Sequence, residues 1–277
     1  MPKERIDLLL TRLNLAEART RAMAYIFEGR VSVGGRVIKK PGEKVESDAV
    51  IEFKNPEDDF VSRGAYKLLR AKEKFGLDFG GKTCLDIGAS TGGFSHLMLK
   101  SGAAKIVCVD VGTGVLHPKI KGDERVAAFE QRHIREFSLK EAGVDSADFI
   151  VCDVSFISVL KFIDKFVEFS HDKTEAVILI KPQFEAEVHE VKKGGVVLDK
   201  KIHERIIVNF IKSFRDKGFE CSGLTGSPKL KGARNIEYLI FFKKNDIICC
   251  GAQTDAAALS AFAGKAIEEA FEEFVSG

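Results

Sequence analysis

The segment Asp86-Ile-Gly88-Ala-Ser90-Thr-Gly92-Gly93-Phe94 joins an apolar run to a helical pattern, and its residue types suggest chemistry. Glycines let a backbone turn tightly and approach a ligand closely. The helix start that follows offers N–H groups with no partner of their own. A dinucleotide loop reads G-x-G-x-x-G and carries a pyrophosphate at that helix start. Here the spacing is G-x-x-x-G-G, with an acid two residues before the first glycine. Such an acid suits a nucleoside that carries cations in place of phosphate. S-adenosylmethionine, with its ammonium and sulfonium, is that kind of ligand, and Asp86 would meet it. Asp110 ends the next apolar run, where a carboxylate holds the ribose hydroxyls of an adenosine. Two alternatives stay open: both acids are plain strand ends, or the ligand is NAD.

Three more charged residues end or begin apolar runs: Asp153 in Cys152-Asp153-Val-Ser-Phe, Lys181 in Ile180-Lys181-Pro182, and Glu237 in Asn235-Ile-Glu237-Tyr. Each is costly to bury unpaired. In an open α/β sheet, ligands bind at the carboxyl ends of the parallel strands. Asp153 and Lys181 fall at such ends. Glu237 joins them only if the last strand runs backwards. The set suits methyl transfer to a hydroxyl, which loses its proton as it attacks. A lysine with a lowered pKa accepts that proton, or a charged one stabilises the developing alkoxide. The alternative is a structural ion network. Lys67 lies in a helical stretch before the first of these strands, and spacing alone does not place it.

The elements that must position these residues read as α/β. Apolar runs at 82–87, 105–110, 126–129, 148–153, 176–180, 219–225 and 236–242 alternate with helical patterns at 94–100, 158–169 and 204–217. That alternation argues for a mostly parallel sheet covered on both faces. The last two strands are joined without a helix, so they should be antiparallel. A Rossmann-like methyltransferase sheet with one antiparallel strand is therefore expected over 63–245. Residues 1–60 form a small α+β unit. It has helical spacing through Ile6, Leu9, Leu10 and Leu13 and a strand–turn–strand at Val31-Ser-Val33-Gly34-Gly35-Arg-Val37. A linker is expected at about 54–62, and residues 246–277 form an acidic tail that reads as helical.

Composition excludes several classes. Of 277 residues, 45% are hydrophobic and 30% charged, which argues against a mainly disordered chain. The longest apolar runs are five residues, whereas a spanning helix needs about 20. No membrane partner is expected. Cys84, Cys108 and Cys152 sit inside apolar runs like buried thiols, and no cysteine pair has metal-ligand spacing. A reducing cytoplasm fits that usage. His117, His171, His189 and His203 are scattered, so they read as ordinary polar positions and no metal is expected. Net charge is only +2, so any basic surface must be local. From Arg19 to Lys44, seven basic residues stand against two acidic ones, a local charge of +5.

These motifs together resemble the TlyA (hemolysin A) family, an S4-type RNA-binding domain fused to an FtsJ-like ribose 2′-O-methyltransferase. The markers are Ser62-Arg63-Gly64-Ala65-Tyr66-Lys67-Leu68, the loop 86–94, Asp153-Val-Ser-Phe-Ile-Ser158, Lys181-Pro-Gln-Phe-Glu185, Gly194-Gly-Val-Val197 and Asn235-Ile-Glu-Tyr238. The resemblance covers residues 3–245. The resemblance implies a catalytic tetrad at Lys67, Asp153, Lys181 and Glu237, and S-adenosylmethionine held by Asp86, Gly88, Ser90, Gly92, Gly93 and Asp110. Where the family usually has Asn or Asp against the adenine, this chain has Glu130-Gln-Arg-His133-Ile, which makes His133 the candidate. The implied partner is ribosomal RNA within ribosomal subunits, and the implied product a cytidine 2′-O-methyl ether. RNA would be held by Arg19, Arg21, Arg30, Arg36, Lys39 and Lys40 in the first unit, and by Lys229, Lys231 and Arg234 beside Glu237. Other classes remain: an assembly factor with an inactive catalytic domain, a membrane-active cytolysin and an NAD-dependent oxidoreductase.

Overall fold

A computed structural model describes residues 2–16, 18–54, 60–230, 232–245 and 256–276. The chain divides into two units, Met1–Phe60 and Val61–Gly277. In the first, β1 (Lys3–Arg5) leads into α1 (Ile6–Arg12) and α2 (Arg19–Phe27), followed by β2 (Val31–Val33), β3 (Arg36–Val37), β4 (Lys44–Glu46) and β5 (Ile51–Phe53). β2 pairs antiparallel with both β3 and β5, and β1 pairs antiparallel with β4. Gly34 and Gly35 both have positive φ, +56° and +74°, as the tight β2–β3 turn demands. Ile6, Leu9 and Leu10 of α1 are fully buried with Ala22, Ile26, Val31 and Ile38. The β1–β4 pair was not legible in the sequence: Lys-Glu-Arg and Lys-Val-Glu carry too few apolar residues to show a strand period.

The second unit opens with α3 (Ala65–Phe75), β6 (Thr83–Ile87), α4 (Gly93–Lys100), β7 (Lys105–Val109), α5 (Pro118–Lys121), β8 (Val126–Phe129) and β9 (Ala147–Cys152). There follow α6 (Ile163–Glu168), β10 (Ser170–Ile180), α7 (Pro182–Glu185), α8 (Lys200–Asp216), β11 (Phe219–Gly226), β12 (Tyr238–Lys244) and α9 (Ala256–Ser276). One seven-stranded sheet has the order β11-β12-β10-β9-β6-β7-β8, and β12 alone runs against its neighbours. The central strands are buried on both faces, which is why they read as continuous apolar runs. Cys84, Cys108 and Cys152 lie inside them as buried free thiols.

Three local differences from the sequence reading have physical causes. The helix expected at 158–169 begins as a 3-10 turn over Val159–Phe162 before α6. β10 starts at Ser170, well before the apolar 176–180, because its polar first half is held by side chains: buried Thr174 donates to the Ala147 carbonyl at 2.7 Å. His203 is fully buried, its Nε2 3.1 Å from the Val197 carbonyl and its Nδ1 2.7 Å from the Tyr238 hydroxyl.

Residues 256–276 pack as α9 against α8 and β11, burying Leu259, Ala263, Ile267 and Ala270 in the main core. Burying one Leu or Ile contributes about 1.5–3 kcal/mol. A chain ended at residue 245 should therefore unfold more than about 10 °C lower in a thermal melt. An unchanged midpoint would show that α9 adds nothing to the fold.

Candidate active site

β6 delivers Asp86 and the loop that follows it. Gly88 sits at φ +79°, and a Cβ there would lie 2.8 Å from the Asp153 carbonyl oxygen, so glycine lets the ends of β6 and β9 meet. A Cβ on Gly93 would lie 2.8 Å from the Ala65 amide, so glycine also lets α4 start directly against α3, the helix that carries Lys67. Asp86 is 1% exposed. Its Oδ2 accepts from the Ser95 amide (3.1 Å) and hydroxyl (2.6 Å), while its Oδ1 is buried with no hydrogen-bond partner. Burial pushes its pKa up to about 7, the Ser95 hydrogen bonds opposing and the nearby Asp153 and Asp110 charges adding.

Asp86, Gly88, Ser90, Gly93, Asp153 and Lys181 line one cleft of about 240 Å³. A second, of about 290 Å³, shares Gly88, Ser90, Asp153 and Ser155 with it and continues past Asp110, His133 and Phe156. Asp110 is oriented by two amides, Ser90 N to Oδ2 at 2.8 Å and Gly112 N to Oδ1 at 2.7 Å. His133 accepts from the Arg135 amide through Nδ1 at 3.2 Å. Gly92 lines neither cleft; its φ is +86° and its α-carbon faces Leu116 and Ile120. The donor set matches the chemistry of S-adenosylmethionine. An unpartnered buried carboxylate oxygen suits an ammonium, a fixed carboxylate suits a ribose diol, and the walls Val111, Ile134 and Phe162 suit an adenine.

The four residues from α3, β9, β10 and β12 meet beside this cleft. Lys67 Nζ lies 2.9 Å from Glu237 Oε2 and 3.4 Å from Asp153 Oδ2. Lys181 Nζ lies 2.6 Å from Asp153 Oδ1, an ion pair without hydrogen-bond alignment, and donates to Ser155 Oγ at 2.8 Å. Lys181 is 8% exposed, and the other three are partly buried. Burial works against the Lys67 charge, but Asp153 and Glu237 outweigh it and hold the ammonium above its ordinary value. Lys67 is thus a fixed cation, not an amine with a lowered pKa. The reversal of β12 brings Glu237 to this edge: Tyr238 pairs with Ile180, the residue before Lys181.

Two neighbours of the tetrad escaped the sequence reading although both lie in its motifs. Phe156 has φ +65° and is 90% exposed at the mouth of the donor cleft, its ring 5.1 Å from that of Phe184. A non-glycine residue in that conformation with an exposed ring is strained and unusual, a pattern found at ligand sites. Glu185 accepts from the Val159 amide at 3.0 Å and so ties the turn after Lys181 to the turn after Asp153. Burial raises its pKa, opposed by hydrogen bonds from Ser158 and Val159.

Residues 60–244 match the model of the FtsJ-like methyltransferases, and residues 4–51 match the S4 domain. The chain is 34% identical over 275 residues to the Mycobacterium tuberculosis 16S/23S rRNA (cytidine-2′-O)-methyltransferase TlyA, covering 99% of this chain and 98% of that one. This chain belongs to the TlyA (hemolysin A) family of FtsJ-like methyltransferases. Another relative, hemolysin A of Brachyspira hyodysenteriae, is 38% identical over 239 residues, 86% of this chain and 99% of its own. A solved Streptococcus thermophilus protein carrying the hemolysin label superposes with a TM-score of 0.69 at 33% identity, over all of this chain and 98% of its own. Among the described residues of this TlyA family member, no helix is long and apolar enough to cross a membrane, and no cluster of His, Cys, Asp or Glu is arranged to hold a metal.

The basic residues expected on RNA in this S4-bearing family differ in how free they are. Arg19 donates to the buried Asp7 at 2.9 Å, beside Arg5, and the two guanidinium groups hold that carboxyl down at about 2. Arg21 donates to the Tyr25 hydroxyl and stacks over its ring. Arg30 is mostly buried against Glu28, and Arg36 pairs with Glu43. Lys39 and Lys40 are exposed. Near the tetrad, Arg234 is exposed in a groove beside Glu237. Lys229 is engaged by α9: its Nζ donates to the Phe274 carbonyl at 2.7 Å and lies 4.6 Å from the Phe274 ring centre. Lys231 lies outside the described residues. These pairings depend on tertiary neighbours, which a count of basic residues does not register.

Proposed function

We propose that this protein methylates the 2′-hydroxyl of a cytidine in ribosomal RNA, within a ribosomal subunit in the cytoplasm, with S-adenosylmethionine as donor. The observation that carries the reading is the Lys67–Glu237–Asp153–Lys181 chain of ion pairs at the edge of a cleft with an unpartnered Asp86 oxygen. When bound, the donor supplies a methyl group on a sulfonium and leaves as a neutral thioether. Asp86 would hold its ammonium, Asp110 its ribose hydroxyls, and His133 and the apolar walls its adenine.

The tetrad supplies proton handling. Two lysines and two carboxylates balance in charge. Lys67, shared by Asp153 and Glu237, stays an ammonium. Lys181 as a free amine takes the hydroxyl proton while the oxygen forms its bond to methyl, and the methyl–sulfur bond breaks. Asp153 orients Lys181, and Glu237 orients Lys67. Most of the rate comes from aligning the oxygen with the methyl group. The exposed ring of Phe156, beside the half-buried Phe184, gives an unstacked base a surface to lie on. The S4 domain, with Lys39 and Lys40 open, adds phosphate contacts that raise overall affinity.

The experiment is transfer of labelled methyl to purified ribosomal subunits that lack the modification. Label recovered in a ribose-methylated cytidine is expected. No transfer to either subunit despite tight donor binding would favour an RNA-binding assembly factor with an idle catalytic domain.

A further inference from the structure

Two buried polar atoms beside the tetrad have no hydrogen-bond partner and no part in the chemistry above: Gln183 Oε1 and Ser227 Oγ. Both residues line one groove of about 400 Å³, together with Arg63, Lys67, Arg234 and Glu237. They flank the tetrad from two elements. Gln183 lies in α7, which begins immediately after Lys181. Ser227 follows β11, and its amide donates to the Glu237 carbonyl at 2.8 Å. Buried polar atoms in folded proteins are nearly always satisfied, so two on one groove without a protein partner are places for water or ligand atoms.

The atom types restrict what those ligand atoms are. A glutamine carbonyl oxygen only accepts, so it needs a donor; a serine hydroxyl both donates and accepts. The groove also carries the guanidinium groups of Arg63 and Arg234, which suit phosphate. In a polynucleotide, the one donor present on every residue whatever its base is the ribose 2′-hydroxyl, which DNA lacks. We propose that this groove holds the nucleotide next to the methylated one. Gln183 and Ser227 hydrogen-bond its 2′-hydroxyl, and Arg63 and Arg234 take its phosphate. The assignment rests on the RNA 2′-O-methyl transfer proposed above. It makes the enzyme selective for RNA through a neighbour whose base it does not read.

The test uses Gln183→Met and Ser227→Ala, which remove the two unpartnered oxygens, with the Gln183 amide nitrogen, and keep the packing. Both variants should melt no lower than the parent protein. Each should raise KM for ribosomal subunits about tenfold, the loss of about one hydrogen bond. Turnover number and KM for S-adenosylmethionine should stay within about twofold. Once the parent protein has shown which nucleotide it modifies, subunits are rebuilt with one 2′-deoxyribose on either side of it. One of these should lose about tenfold with the parent protein and lose nothing further with the variants. Parent activity with unchanged KM in both variants, or deoxy penalties that simply add to those of the variants, would overturn the groove assignment alone. No methyl transfer by the parent protein would overturn the wider reading, and the assignment with it.

Discussion

Lys181→Ala should slow methyl transfer to ribosomal subunits by about 10³-fold and leave donor affinity within about threefold. General-base removal costs about 10²–10⁴-fold, and Lys181 is the tetrad lysine placed on the donor cleft, 2.6 Å from Asp153 and 2.8 Å from Ser155. Lys181→Arg separates the two roles open to a lysine here. A guanidinium keeps the charge but does not lose a proton in proteins, so the arginine variant should be nearly as slow as the alanine one. Lys67→Arg should keep far more activity, because Lys67 acts as a cation between Asp153 and Glu237 and its proton is held. Single-turnover rates with saturating subunits distinguish these cases. A Lys181→Arg enzyme as fast as the parent would replace the base with electrostatic stabilisation of the developing alkoxide.

Asp86→Asn should weaken S-adenosylmethionine about 10–100-fold, because a hydrogen bond to a charged partner contributes about 1.5–3 kcal/mol. The carboxyl, pushed up to about 7 by burial, also gives the parent protein a pH signature. Below that value the ligand-free protein holds Asp86 neutral, and a donor ammonium must displace its proton. Affinity should therefore rise about tenfold per unit as pH approaches 7, then level off. Stability runs the other way. The unfolded chain ionises this group near pH 4, while the folded chain keeps its proton up to about 7. The stabilisation is complete below the unfolded value and is lost as pH rises through the folded one. Asp86→Asn should remove that loss and raise the melting temperature of the ligand-free protein at pH 8. Calorimetric titration with the donor across about pH 5.5–8 reads the first effect and thermal melts the second. A donor affinity that is flat with pH and unchanged in Asp86→Asn would show that this carboxylate does not meet the ammonium.

Features governed by short-range pattern were legible in the sequence. Apolar runs bounded by turns placed β6, β7, β8, β9 and β12 within a few residues, because strands buried on both faces carry no polar positions. The loop from Asp86 to Phe94 was legible because its glycines answer to local geometry: positive φ at Gly88, and backbone too close at Gly88 and Gly93 to admit a Cβ. The missing helix between the last two strands foretold the reversal of β12, and with it the place of Glu237. Lys67 was different. On residue types alone it was one lysine of a basic helix; only its resemblance to family motifs singled it out, and only the packing of α3 on α4 brings it to Glu237.

Tertiary structure alone decided which charges are free and which polar atoms are not satisfied. Arg19, Arg30 and Arg36 are spent on nearby carboxylates, Lys229 on the end of α9, and Asp153 is shared between two lysines. The acidic tail buries one face in the core because α8 and β11 present an apolar surface to it. Gln183 and Ser227 acquire their meaning only where α7 and the end of β11 converge on one groove. Element type follows from residue periods along the chain. Hydrogen-bond satisfaction and net local charge depend on distances of a few ångströms between residues far apart in sequence, and those are set by strand order, register and helix packing.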